Sequence, residues 1–399
     1  MTEPRSSPRA AVVNVDISGA PGDAAGLDGY AHALVIVRFH GVPVGQFWTP
    51  VTDGRIDGAT LGTRALDAAM PAFSRRWLEH RFQWDDGAPD PLPSATIAIC
   101  TRERPDDLTR TLIAVEACTR REHPILVIDN RPETDATARV AAMHPHVRYV
   151  REDRPGLNAA RNRALREAAT DIVAFTDDDA APEIGWLDAL RRAFRQPLVI
   201  GATGLTIPLE LETPAQQWFE RTNGFGRGFF RHEFDPLECT PHSAGQVGAG
   251  ANMALRRDVL TRVGPFDERL DAGTPAKSGG DHDMFTRILS RGYWLVYEPS
   301  AVSRHRHRRS WPELRDTLRG YGTGVYAMWT GRLVEHGDLA VIKQAAWWFL
   351  KVQAPALSRA LLRRPGAPPL DLIAAELRGC AAGPAAWLRG RRLANGARV

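Results

Sequence analysis

No run of about 18 or more apolar residues occurs in the 399-residue chain, so no membrane-spanning helix is expected. The start, Met1 to Arg9, is polar and lacks the apolar core of a signal peptide. Cysteine is scarce: Cys100, Cys118, Cys239 and Cys380 show neither CxxC pairing nor metal-ligand spacing. They read as small hydrophobes in a reducing cytoplasm. The net charge of +4 is small for this length, and arginine is spread widely, which argues against a nucleic-acid partner. The glycine-rich stretch Gly245 to Gly250 lacks the Gly-Lys-Ser/Thr ending of a P-loop, which excludes ATPase chemistry of that kind.

What is present is the composition of a globular protein, 43% apolar and 25% charged, long enough for two or three units. Residues near 10 to 62 carry short strand patterns and an Asp-Gly turn at Asp53-Gly54, a small β module after a disordered start. Leu66 to Phe82 has helical spacing, and the Pro-rich stretch Asp85 to Pro93 is a linker. From Ala95 the pattern alternates strand and helix, with strands at Ala95 to Cys100, Ile125 to Ile128, Val147 to Val150 and Ile172 to Phe175. This alternation implies an α/β fold with a mostly parallel sheet flanked by helices. Regularity weakens over Thr222 to Gly250, as expected of loops that shape a pocket. Beyond Ser310 the chain is helical. The expected units are 1–90, a β-rich accessory module, 91–325, the catalytic domain, and 326–399, a basic helical tail.

The chain is organised around Ile172 to Asp179, an apolar strand that ends in Asp177, Asp178 and Asp179. Strand-end carboxylates lie where open α/β sheets bind ligands. Three adjacent anions repel, so they need solvent or a cation, and a divalent-metal site stands beside the plain acidic turn. Thr101 and Arg104 follow the first strand of the alternating region, and Asp129 ends the next, where a carboxylate can accept from a nucleobase or ribose. Gly156 opens a helix and permits close backbone approach, while Arg161 can pair with phosphate or with carboxylates. Asp281 begins another helix, where a cap and a base are equally favoured. His305, with His307 nearby, sits in a basic run that serves a solvated loop or an oxygen-rich metal site.

In this order the motifs resemble the family 2 glycosyltransferases, inverting enzymes of GT-A fold. The likeness covers about residues 94 to 325 and includes Gly250-Ala251-Asn252-Met253 and Gly264-Pro265-Phe266-Asp267-Glu268. It implies a GT-A-type sheet and a DXD motif at Asp177-Asp178-Asp179, whose outer carboxylates hold Mg2+ or Mn2+ with His305. It further implies that Asp178 lies near the sugar or ribose, and that Thr101, Arg104, Asp129, Gly156 and Arg161 line the site of a nucleotide-diphosphate sugar donor. Asp281 is the implied base, and Asn252, Gly280 and Asp283 are candidates for the acceptor pocket. Gly280 stands where many members carry Glu, which removes a charge from that pocket. The acceptor implied is a glycan or lipid-linked glycan.

Two other readings compete. A sugar-phosphate nucleotidyltransferase would need a glycine-bearing loop where Thr101 to Pro105 has none. A non-catalytic nucleotide- or glycan-binding module would need no base. The tail from Gly331 holds about 11 basic and 4 acidic residues, with Trp347 and Trp348 on an apolar stretch. Peripheral contact with the cytoplasmic face of the cell membrane is therefore expected, against packing of the same aromatics on the protein.

Overall fold

The structure, a computed structural model, describes residues 8–82, 91–119 and 122–396. Most of the expected linker Asp85 to Pro93 lies outside the described residues. Strands β1 (Ala10–Asp16), β2 (His32–Phe39) and β3 (Val42–Pro50) form a three-stranded sheet in that order. β1 runs parallel to β2, and β2 and β3 form a hairpin. Helix α1 (Gly58–Arg81) starts before the expected Leu66, because Asp57 caps it by accepting from the Thr60 N–H at 2.8 Å.

The alternating region then runs β4 (Ala95–Thr101), α2 (Pro105–Cys118), β5 (Ile125–Asn130), α3 (Ala136–Ala142), β6 (Val147–Glu152), α4 (Leu157–Glu167) and β7 (Ile172–Asp177). It continues with β8 (Ala180–Pro182), α5 (Trp186–Ala193), β9 (Val199–Pro208), α6 (Pro214–Asn223), β10 (His232–Phe234) and a 3-10 turn at Pro241–Gln246. After these come β11 (Asn252–Arg256), α7 (Val259–Arg262), α8 (Gly280–Ser290) and β12 (Trp294–His305). The end is helical: α9 (Trp311–His336), α10 (Ala340–Trp348), a π-turn at Phe349–Gln353, α11 (Ala354–Leu361) and α12 (Leu370–Gly396).

The main sheet has the order β10-β12-β9-β11-β7-β4-β5-β6, with β8 paired to β12. β11 is antiparallel to both β7 and β9, while β9 is parallel to β12. It follows that β4, β5, β6, β7, β9 and β12 all run one way, as the alternating pattern implied. Their carboxyl ends share one edge, which gathers Thr101, Asp129, Asp177 and His305. Reversed β11 brings its first residue, Asn252, to the same edge opposite Thr176.

Side chains alternate between two faces along each strand. Ile97 and Ile99 of β4 join Leu108, Leu112 and Trp186 on the face covered by α2 and α5, whereas Ala98 joins Leu165 and Met284 under α4 and α8. At about 1.5–3 kcal/mol for each fully buried large apolar side chain, these two cores supply most of the force that fixes the edge.

Both terminal regions attach to this body. Leu34 and Ile36 of β2 enter the α4/α8 core, while Ala33, Val35 and Val37 face α1 and the N-terminal loops. Trp311 and Leu314 of α9 cluster with Phe219 of α6, and α9 packs along α12. The boundary expected at 325/326 falls inside α9, which is continuous there because Ser310 and Glu313 form a capping box and Gly337 ends the helix in a left-handed turn.

Candidate active site and metal centre

At the sheet's carboxyl edge lies a cleft of about 1520 Å³, bordered by Arg161, Asp177, Asp271, Asp281, His305 and Arg308. Loops from the irregular region close one side, with Phe225, Arg227 and Gly248 to Gly250. Trp347 and Trp348 border the far end.

The three consecutive aspartates have three different surroundings. Asp177 is half-buried and faces the cleft. Its carboxyl is pushed up by burial and then by neighbouring Asp179. Asp178 points the other way, accepting from the Thr101 hydroxyl at 2.7 Å and from Arg104 at 3.1 Å. Burial raises Asp178 to about 6, against the pull of Arg104. Asp179 lies 3.2 Å from His305 Nε2 and 3.5 Å from Arg308. Burial works against its ionisation, yet His305, Arg308 and Arg104 hold it well below the usual carboxylate range. In turn, Asp179 raises the His305 imidazole despite burial.

Asp177, Asp179 and His305 can each offer one ligand atom, all within 4.8 Å of one another. Two carboxylate oxygens and one imidazole nitrogen suit Mg2+ or Mn2+, and the mutual repulsion of the two carboxylates is what a divalent cation relieves. The donor set therefore fits the metal. His307, the competing histidine, also borders the cleft but stands outside the donor set: its Nε2 meets Glu220 at 3.0 Å and burial pushes it down to about 3.

Asp281 opens α8 across the cleft. Its Oδ2 accepts from the Gly250 N–H at 2.8 Å, and its Oδ1 accepts from the His282 N–H at 2.8 Å. A Cβ on Gly250 would meet Arg161 at 2.8 Å and the Asp281 carboxylate at 3.0 Å, so only glycine lets these side chains close on the backbone. Arg161 donates to Asp271 at 2.7 Å and to Asn158 at 3.2 Å. Of the two partners open to it in sequence, carboxylate is the one it meets.

Several expected site residues lie elsewhere. Asn252 is fully buried; it accepts from the Trp186 indole at 2.7 Å and donates to the carbonyls of Leu205 and Ala301. It ties β11 to its neighbours and does not line an acceptor pocket. Asp283 pairs with Arg287 one turn along α8 at 2.8 Å and is likewise off the cleft. Gly280 does not leave the pocket short of charge, because a Cβ there would strike the Asp271 carboxylate at 2.5 Å. That carboxylate arrives from a loop, on a residue with φ of 79°.

Thr101 and Arg104 hold the aspartate turn from beneath. Gly156 has φ of 112° and donates its N–H to Asn130, and the Leu157 N–H is taken by Ala272, so the start of α4 is closed by neighbouring loops. Asp129 is fully buried at the end of β5 and accepts from the Tyr149 hydroxyl at 2.9 Å. Its other oxygen has no partner among the described residues, and burial raises its carboxyl above the ordinary range. It is not among the residues lining the cleft that holds Asp281.

Comparison with known proteins bears on the same segment. Residues 96–264 match the family model described as glycosyl transferase family 2. The chain is 33% identical over 176 residues to the pre-mycofactocin glycosyltransferase of Mycobacterium tuberculosis, a match covering 44% of this chain and 33% of that protein. It is 26% identical over 268 residues to the glycosyltransferase AglE of Haloferax volcanii, covering 65% of this chain and 81% of the relative. The chain thus spans about a third of the length of its mycobacterial relative. Among solved structures, a mannosyltransferase from Pyrobaculum calidifontis in complex with GDP-Man and Mn2+ aligns with a TM-score of 0.45 and 20% identity, covering 82% of this chain and 83% of that one.

Proposed function

Since residues 96–264 belong to glycosyl transferase family 2, we propose that the chain moves a sugar from a nucleotide-diphosphate sugar to a hydroxyl acceptor with inversion. The observation that carries this reading is the meeting, in one cleft, of the Asp177–Asp179–His305 donor set and Asp281 on the facing helix. Asp281 takes the proton of the acceptor hydroxyl as its oxygen bonds to the anomeric carbon, and the opposite C–O bond breaks with its electron pair going to the diphosphate. Mg2+ or Mn2+ held by the donor set supplies charge neutralisation for that leaving group. The two backbone N–H groups on Asp281 aim the carboxylate before substrate arrives. Arg161, clamped by Asp271, keeps positive charge beside Asp281 and Asp177.

Asp129, at the carboxyl edge of the sheet beside Thr101, is the nucleobase contact of this reading. The N-terminal sheet buttresses this unit through Leu34 and Ile36 of β2. The acceptor is a glycan or lipid-linked glycan met at the cytoplasmic membrane face, where the chain docks by its tail. Among the described residues no helix is long and apolar enough to cross a membrane. Yet α10, the π-turn and α11 expose Leu339, Ile342, Trp347, Leu350 and Leu361, and 339–364 holds Lys343, Lys351, Arg359, Arg363 and Arg364 with no acidic residue. Apolar and basic residues together suit an anionic lipid surface.

Calorimetry with UDP, GDP and dTDP in the presence of Mn2+, paired with transfer assays over a donor panel, tests the core of this reading. Asp281→Asn is expected to lower transfer by about 10²–10⁴-fold while retaining nucleotide binding. Asp179→Ala is expected to weaken metal-dependent binding itself. Transfer surviving in Asp281→Asn would remove that residue as base, and unchanged binding in Asp179→Ala would remove the metal assignment.

A further inference from the structure

Behind the metal corner runs a line of buried side chains. His305 Nε2 faces Asp179 at 3.2 Å, and its Nδ1 meets His307 Nδ1 at 3.3 Å. His307 Nε2 then meets Glu220 of α6 at 3.0 Å. Glu220, His307, His305 and Asp179 are joined end to end, and both histidines are buried. Two phenyl rings hold the geometry: Phe219 lies 4.7 Å from His307, and Phe225 stands edge-on to His305 at 5.1 Å and close to His307 at 5.8 Å.

Hydrogen bookkeeping along this line leaves one arrangement compatible with metal binding. An imidazole that offers Nε2 to a cation carries its proton on Nδ1. His305 Nδ1–H must then donate to a bare Nδ1 on His307. A neutral His307 with bare Nδ1 carries its proton on Nε2, and that proton needs an acceptor. Glu220 is the acceptor present, 3.0 Å from His307 Nε2.

We infer that Glu220 is a positioning residue: through His307 it commits His305 to the tautomer whose Nε2 lone pair faces Asp177 and Asp179. Outer partners of this kind orient a ligand ring and make it a better donor, and their loss typically costs 10–100-fold in metal affinity. The inference rests on the proposed metal site but can fail separately from it.

Two measurements on the full chain test it. Mn2+ binding followed by electron paramagnetic resonance is expected to weaken by roughly 10–100-fold in Glu220→Leu, and to stay within about threefold in Glu220→Gln, whose amide oxygen still accepts from His307. Nitrogen-15 spectra of histidine-labelled, unmutated protein loaded with Mg2+ are expected to place the proton of His305 on Nδ1 and that of His307 on Nε2. This second reading needs no variant, so it decides the matter even where Glu220→Leu fails to fold. Parent-like Mn2+ affinity in a folded Glu220→Leu, or a His305 proton on Nε2 in the Mg2+-loaded chain, overturns the relay. Absence of Mn2+ binding by the parent chain would overturn the metal site as well.

Discussion

The N-terminal sheet and the C-terminal helices both lie outside the 96–264 segment, and the main α/β body treats them in opposite ways. β2 is buried on both faces: Leu34, Val35, Ile36 and Val37 are all 0% exposed, gripped between the α4/α8 core and α1. In the tail, α12 is locked along α9, with Trp387 against Gly331, but α10, the π-turn and α11 leave Trp347 51% and Leu350 63% exposed. An added segment that surrenders its apolar surface to the core is structure. One that keeps it in water is the surface for which we propose a lipid partner. Composition alone does not separate the two, because each mixes alanine with larger apolar residues.

Stability measurements on matched substitutions would break or sharpen this contrast. The largest effect is expected from Leu34→Ala, at about 2–5 kcal/mol of whole-chain stability by urea unfolding, because a fully packed site cannot collapse around the cavity. A loss below about 0.5 kcal/mol would make the N-terminal sheet a separable appendage. The combined change Trp347→Ser, Trp348→Ser and Leu350→Ser should leave stability within about 1 kcal/mol. It should lower co-sedimentation with anionic phospholipid vesicles at least tenfold. Undiminished vesicle binding would return these side chains to protein contacts.

The smallest effect should come from Glu212→Gln, which loosens the tie of Arg9 and the Tyr30 hydroxyl to the main body. The Arg9 bond, ahead of a small opposing burial, holds the Glu212 carboxyl below its ordinary value. Its stabilisation is therefore present above the unfolded-state pKa and is lost as pH falls through the folded one. The unfolding midpoints of parent and variant should differ slightly at neutral pH and converge in acid. A gap that widens in acid would show that the sign is wrong.

The alternating region was legible because period and punctuation agreed. The strands expected from Ala95, Ile125, Val147 and Ile172 are β4, β5, β6 and β7, and the carboxylates Asp129 and Asp177 lie where the apolar runs stop. β1 lies within the short strand patterns read near residues 10 to 62, but its parallel pairing with β2 was not legible, because register between strands is set by the fold. α6 carried a signal in Thr213 and Gln216, a reciprocal cap that precedes few apolar residues. The site was legible where chemistry sits at strand ends. Asp271 was not, because a loop aspartate at positive φ reaches Arg161 only through the folded path of residues 264–279. Glu220 was unreadable for the same reason: its partner is 87 positions away. Asn252 and Asp283 misled because polar residues beside a motif also serve as braces, and a buried amide with three partners is such a brace.

α9 begins just past His305, lines the cleft with Tyr321, Val325 and Trp329, and ends beside the exposed helices. At 1.5 Å per residue its 26 residues make a rod of about 39 Å. Because α12 braces that rod along its length, it acts as a stand-off gauge. Under the proposed docking, the surface that receives the tail would stand at a set height from the carboxylates, and an acceptor anchored in it would need a headgroup tall enough to bring its hydroxyl to the proposed base, Asp281.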